Sequence, residues 1–200
     1  LIIAVVDCTG HGVPGAFMSL IGHVALNNII QWRGVRSPNE ILEELHEAVI
    51  RALRQNKTNN RDGMEMSVVV IDKDKRTLSF SGAMNPLVYI QNNEMKIIKG
   101  VRRGVGGVYL FNRNKFSTHV IDLSTPTSFY LYTDGYQDQF GGAVDGGQKF
   151  MAKKFRNLLI QNHQLSFDQQ MKILKEKHHE WKSGYEQTDD VLVFGGKIEL

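Results

Sequence analysis

D-C-T-G-H-G-V-P-G-A-F, residues Asp7 to Phe17, lies between two apolar runs, L-I-I-A-V-V before it and M-S-L-I-G-H-V-A-L after it. Its Gly10-His11-Gly12-Val13-Pro14-Gly15 reads literally as G-x-G-x-x-G, the spacing of a dinucleotide-binding loop between a strand and a helix. A Rossmann unit also needs a parallel strand after that helix, and an acid about 20 positions beyond the glycines to hold a ribose. Here that position falls within the first helix or its polar exit, and a second helix comes before any strand. A P-loop would need Gly-Lys-Ser/Thr where this chain has Gly15-Ala16-Phe17. A cysteine phosphatase would need an arginine shortly after Cys8, and none is there. The glycines must serve another purpose.

Working outward, L-I-I-A-V-V reads as a buried strand, and Val13 to about Trp32 as a helix with Pro14 in its first turn. Phe17, Leu20, Ile21 and Val24 give that helix an apolar face at helical spacing. S-P-N-E predicts a second helix with Ser37 as N-cap, Pro38 at its first position and Glu40 closing a capping box. Its apolar side repeats through Ile41, Leu45, Ala48 or Val49, and Ala52 or Leu53, and its other side is charged and faces solvent. The texture then changes to hairpins: M-S-V-V-V-I-D with T-L-S-F-S-G, then P-L-V-Y-I with M-K-I-I-K. H-V-I-D-L and S-F-Y-L-Y-T-D add two strands. Helices are expected over Lys149 to Gln161 and from Ser166 onward, the latter with Phe167, Met171, Leu174, His178 and Trp181 on one face. D-V-L-V-F-G-G-K-I-E-L closes the chain as a strand with a glycine bulge. Hairpins between helical pairs predict an α+β protein with a largely antiparallel sheet.

The chain's 200 residues suit one domain with a substantial core. A formal charge of +3, with basic residues scattered, gives no footprint of nucleic-acid binding. The lone cysteine, Cys8, excludes an internal disulfide and fits a reducing, cytoplasmic setting. No apolar run is expected to approach the roughly 18 residues of a membrane span. A chain that opens on a core strand without methionine reads as a piece of a longer protein, which could itself be membrane-anchored.

Three strand ends carry carboxylates: Asp7 after L-I-I-A-V-V, Asp134 after F-Y-L-Y-T, and Asp189 with Asp190 before V-L-V-F. A carboxylate at the end of a buried strand is costly unless something pairs with it. Three such positions suggest a cation gathering them. Oxygen ligands without cysteine or paired-histidine spacing point to Mg²⁺ or Mn²⁺ rather than zinc. The competing reading is that each aspartate is a turn former or a helix cap.

D-C-T-G-H-G-V-P-G-A-F-M-S, D-G-M-E-M-S, G-A-M-N-P-L, Y-L-Y-T-D-G-Y-Q-D-Q and Q-T-D-D-V-L-V-F follow one another in the order of the metal-dependent PPM (type 2C) serine/threonine phosphatases. The sequence resembles the branch of the sporulation phosphatase SpoIIE and the stress-response phosphatase RsbU, essentially from end to end. That resemblance implies two antiparallel β-sheets in a sandwich flanked by helical pairs, with residues 1–200 as a single phosphatase domain and two Mn²⁺ or Mg²⁺ ions at one end of the strands. By the same resemblance Asp7 bridges both metals, the Cys8 carbonyl stands where relatives use glycine, and Asp134 and Asp189 hold the second metal. Asp190 takes the place of an Asn or Asp neighbour. Two cations about 4 Å apart would lower the pKa of a bridging water, and the hydroxide would attack phosphorus in line. Gly10 and Gly12 would turn the chain so that a helix N-terminus meets the phosphate. His11 could donate a proton to the leaving oxygen, or could merely cap the loop.

The implied substrate is a phosphorylated regulatory protein, such as an anti-sigma-factor antagonist with the STAS fold. The chain would be the output module of a signalling protein with an upstream sensor domain, and paired helices beside this core would allow a homodimer. Relatives carry one more acid in a strand upstream of residue 1, so the first metal site is expected to be incomplete and the sheet to have an open edge. Arg102 and Arg103, in R-R-G-V-G-G, could contact a phosphoprotein, or could be two solvated arginines. A phosphatase fold that has lost turnover and only docks a partner is the alternative function.

Overall fold

The computed structural model describes residues 1–107, 114–142 and 146–200. In chain order its elements are β1 (Ile2–Cys8), α1 (Gly12–Asn27) running on into a π-helical turn (Asn28–Trp32), α2 (Pro38–Ala52), β2 (Gly63–Asp72) and β3 (Thr77–Ala83). There follow β4 (Leu87–Gln91), β5 (Glu94–Ile98), β6 (Val105–Gly106), β7 (His119–Asp122), β8 (Thr127–Tyr132), α3 (Gly135–Asp138) and β9 (Phe140–Gly141). The last are β10 (Gln148–Lys149), α4 (Ala152–Asn162), α5 (Phe167–Lys182) and β11 (Val193–Ile198). The order is α+β with antiparallel pairing, as the hairpin texture predicts. The chain forms two compact units, residues 1–87 with 98–124 and Leu200, and residues 88–97 with 125–199.

In the first unit the sheet runs β1-β2-β3-β7, with β6 also on β2, so β1 is an edge strand. Ala4, Val6 and Cys8 of β1 alternate onto the face that packs with Met64, Met66 and Val68 of β2. Helices α1 and α2 close that core through Met18 and Ile29 and through Ile41, Leu42, Leu45 and Val49. Helix α2 starts at Pro38 after Ser37, but no capping box forms: the Ser37 hydroxyl donates to Asn39 Oδ1 at 2.6 Å instead.

Helix α1 corrects the sequence reading. The expected core face is the outer one, with Phe17 62%, Leu20 56% and Val24 58% exposed. Met18, Gly22 and Ile29 are buried, with Ile21 and Ala25 beside them. The helix is apolar nearly all round, so spacing alone could not choose its inner side. With its π turn it spans 21 residues of mean hydropathy 1.4, long and apolar enough to cross a membrane by length and composition. That overturns the expectation that no such run exists.

Arg103 is a second correction. It is 7% exposed, not solvated. One guanidinium nitrogen donates to Glu43 Oε1 at 3.2 Å and to the Asn114 carbonyl at 2.9 Å, and the group lies 4.6 Å from the Phe116 ring centre. Beside it, His46 Nδ1 accepts from the Gly106 N–H at 2.9 Å. Burial and the Arg103 charge push the His46 pKa down, which suits this neutral acceptor role. Arg103 therefore pins the loop to α2 and is not free for a phosphoprotein, whereas Arg102 is exposed. Arg103→Ala would leave Glu43 without its buried partner and is expected to cost about 3 kcal/mol. The check is a lower urea midpoint at unchanged slope.

In the second unit the sheet runs β11-β8-β4-β5. Strand β8, T-S-F-Y-L-Y, is buried along its whole length. Tyr130, Tyr132, Tyr136, Phe150, Phe155 and Leu159 form a core to which Leu174 and Trp181 of α5 are added. The Tyr130 hydroxyl donates to Gln170 Oε1 at 2.9 Å and the Tyr136 hydroxyl to the Leu174 carbonyl at 2.8 Å, so these two rings are buried with their hydroxyls satisfied. Helix α5 begins with a true capping box between Ser166 and Gln169. The expected bulge in β11 is absent: six consecutive residues pair in register, from Val193↔Tyr132 to Ile198↔Thr127. Gly196 instead makes room for the Phe129 ring, 2.6 Å from where its Cβ would stand.

Candidate metal centre

Asp7 is the penultimate residue of β1 and lies opposite Glu65 of β2. By alternation both project from the sheet face opposite the α1–α2 core. Like charges directly opposite on one face repel each other. The chain after Asp7 is held down by Thr9, whose N–H and hydroxyl both donate to the Gly63 carbonyl at 2.9 and 3.1 Å, while the hydroxyl accepts from Gly63 N–H at 3.1 Å. It then turns through Gly10 and Gly12 at φ of +88° and +65°, conformations that favour glycine. This is why the loop imitates a dinucleotide fingerprint without being one. His11 stands at the N-cap position of α1 but makes no side-chain capping bond and is exposed, so the capping reading fails. The Cys8 thiol accepts from the Ser19 hydroxyl at 3.7 Å, and burial, the largest influence, pushes its pKa up; the side chain stays a protonated, inert thiol.

Asp134, Asp189 and Asp190 belong to the second unit. Asp134 follows β8 by two residues and occupies the N-cap position of α3, again without a side-chain capping bond. The loop carrying Asp189 and Asp190 is clamped to its flank. Thr133 N–H donates to the Leu192 carbonyl at 3.1 Å, its hydroxyl donates to the Asp190 carbonyl at 3.0 Å, and Leu192 N–H donates back to that hydroxyl at 3.1 Å. Gly135 permits the close approach, because a Cβ there would stand 2.3 Å from the Asp190 carbonyl oxygen. Asp190 N–H donates to Asp189 Oδ1 at 2.7 Å, which orients that carboxylate.

The electrostatic result is visible at Asp134. Its pKa is pushed up, first by burial, then by the charges of Asp189 and Asp138. Among the described residues no group of three or more His, Cys, Asp or Glu side chains is gathered closely enough to hold a metal ion. What the second unit brings together is a half-buried carboxylate, Asp134, within electrostatic reach of Asp189 and Asp138, an all-oxygen set with excess negative charge. That donor chemistry fits a hard dication such as Mn²⁺ or Mg²⁺. Thr133, Gly135, Glu65 and Asp138 are not singled out by the sequence reading, although they lie inside the motifs D-G-M-E-M-S and Y-L-Y-T-D-G-Y-Q-D-Q.

The family model of Stage II sporulation protein E (SpoIIE) matches residues 1–198. The chain belongs to the SpoIIE family. The SiaA-PP2C domain of Pseudomonas aeruginosa is 30% identical to this SpoIIE-family chain, with a TM-score of 0.86, covering 99% of this chain and 76% of that one. The PP2C phosphatase domain of SpoIIE from Bacillus subtilis, solved with a fragment of its regulatory domain, is 14% identical with a TM-score of 0.70. That match covers 97% of this chain and 52% of the other. The catalytic domain of the serine/threonine phosphatase PstP, solved with two manganese ions, is 11% identical at a TM-score of 0.65, over 99% of this chain and 88% of that one. The last two likenesses establish a shared fold. A sequence search of curated proteins found no match. The fold of this SpoIIE-family chain is thus that of the PP2C phosphatase domains.

Proposed function

We propose that this chain is a Mn²⁺- or Mg²⁺-dependent phosphatase that removes phosphate from serine or threonine of a regulatory protein. The observation that carries the reading is the Asp134–Asp189 pair, brought together by Thr133 and Gly135, in which burial and the Asp189 charge disfavour an ionised Asp134 and a bound dication would relieve it. Asp134 and Asp189 would hold an ion, and the family resemblance adds Asp7, the Cys8 carbonyl and Asp190 as further candidate ligands. The bound dications would activate water and neutralise charge on the phosphoryl oxygens. The Gly10–Gly12 turn would offer backbone N–H groups to the phosphate, and His11, which is exposed, would donate a proton to the leaving oxygen. Family membership supports this reading, as does the fold shared with a PP2C domain that sits beside a regulatory domain. We place the chain as the cytoplasmic output module of a longer signalling protein acting on a STAS-type antagonist.

The test is phosphate release from a phosphoserine peptide with Mn²⁺, and again after addition of EDTA. Release with Mn²⁺ and its loss on chelation are expected. Binding of the phosphopeptide without release under either condition would favour a docking module in place of an enzyme.

A further inference from the structure

One cation is built into the second unit beside the acids, and neither the motifs nor the family reading accounts for it. Asp138 lies one helical turn beyond Asp134, with its N–H donating to the Asp134 carbonyl at 2.9 Å, so the two carboxylates share one side of α3. Lys149 Nζ approaches Asp138 Oδ2 at 2.7 Å. The lysine is held in place on both sides. Its residue pairs with Phe140 across the β9–β10 ribbon, and the next two residues donate backbone bonds to the Gln139 and Gln137 carbonyls at 3.0 and 2.7 Å. Phe150 is packed edge-on against Tyr136 and Trp181, with ring centres 5.2 and 5.3 Å away. An ion pair on an anchored backbone loses less entropy than an ordinary surface pair.

We propose that Lys149 is the resident counter-charge of the metal centre: by engaging Asp138 it leaves Asp134 and Asp189 as the carboxylates open to a dication, and it sets how tightly that ion is held. The proposal rests on the reading of Asp134 and Asp189 as metal-holding residues. The reach of the lysine charge supports it. The charges of Asp138 and Asp189 both act on Asp134, and the Lys149 charge reaches Asp134 as well as Asp138. Lys149 thus acts as a positioning residue, through Asp138.

The experiment is calorimetric titration of metal-free protein with Mn²⁺, comparing the parent chain with Lys149→Met, Lys149→Arg and Asp138→Asn at low and high salt. Lys149→Met is expected to bind Mn²⁺ about fivefold tighter, and Asp138→Asn weaker by a similar factor, both differences shrinking at high salt. Lys149→Arg is expected to match the parent. Circular dichroism melts of the metal-free variants establish that each is folded. A folded Lys149→Met with unchanged or weaker affinity would overturn the proposal and leave a plain surface ion pair. Failure of the parent chain to bind Mn²⁺ at all would instead overturn the site reading, and this inference with it.

Discussion

Asp134→Asn is expected to lower Mn²⁺-dependent phosphate release by about 10³-fold, the equivalent of roughly 4 kcal/mol of lost charge stabilisation. It is also expected to make the metal-free protein more stable at neutral pH. The second effect follows from the direction of the shift: burial and the charges of Asp189 and Asp138 raise the folded-state pKa of Asp134 above its ordinary 3.8. An acid raised in this way favours folding while it is protonated, below its unfolded pKa, and that contribution is lost as pH rises through the folded value. At pH 7 the ionised carboxylate is therefore a burden on the metal-free fold, and the amide removes it. The stabilisation should be present at neutral pH and fade as the pH is lowered toward about 4. Paired measurements of phosphate release and of melting temperature against pH check both signs. Loss of activity together with loss of stability would make Asp134 a structural residue and sink its assignment as a ligand.

Gly135→Ala is expected to be the most damaging small substitution near the site. Its Cβ would stand 2.3 Å from the Asp190 carbonyl oxygen and 2.9 Å from the carbonyl carbon, both backbone atoms that cannot swing aside as a side chain could. The loop must move, and with it the bonds from Thr133 to Asp190 and from Leu192 to Thr133. A cost of about 2–3 kcal/mol is expected from the overpacking. Mn²⁺ affinity should fall at least about tenfold, because residues that orient a ligand matter nearly as much as the ligand. Unfolding in urea and calorimetric titration read the two effects separately. Unchanged Mn²⁺ affinity in a folded Gly135→Ala would show that the Asp189–Asp190 loop does not have to lie where it does for metal to bind.

Much of this was legible because it is local. Strands β2 and β3 announce themselves by β-branched runs around K-D-K-R, and α2 by Pro38 and its one-sided apolar repeat. The motif aspartates are visible as charges where strands end. Local signals failed where two sides of an element look alike. Helix α1 is apolar around its circumference, so periodicity could not say that Met18 and Ile29 face inward while Phe17 and Leu20 face out. The two glycines of β11 look like a bulge, but Gly196 answers to the Phe129 ring on the neighbouring strand and Gly195 to the rings of Phe167 and Tyr130.

By itself the sequence determined the order of the long elements, the exclusion of a dinucleotide fold and the family, because these depend on residue types at short fixed spacings; the short β6, α3, β9 and β10 carry no such signal. Only the tertiary structure decided which charges act together. Arg103 is buried because Glu43, 60 residues away along the chain, meets it. Asp134 is burdened by Asp189 because Thr133 and the missing Cβ of Gly135 let a distant loop close on it. Burial and charge proximity are properties of distance in space, and a charge feels its neighbours through that distance rather than along the chain.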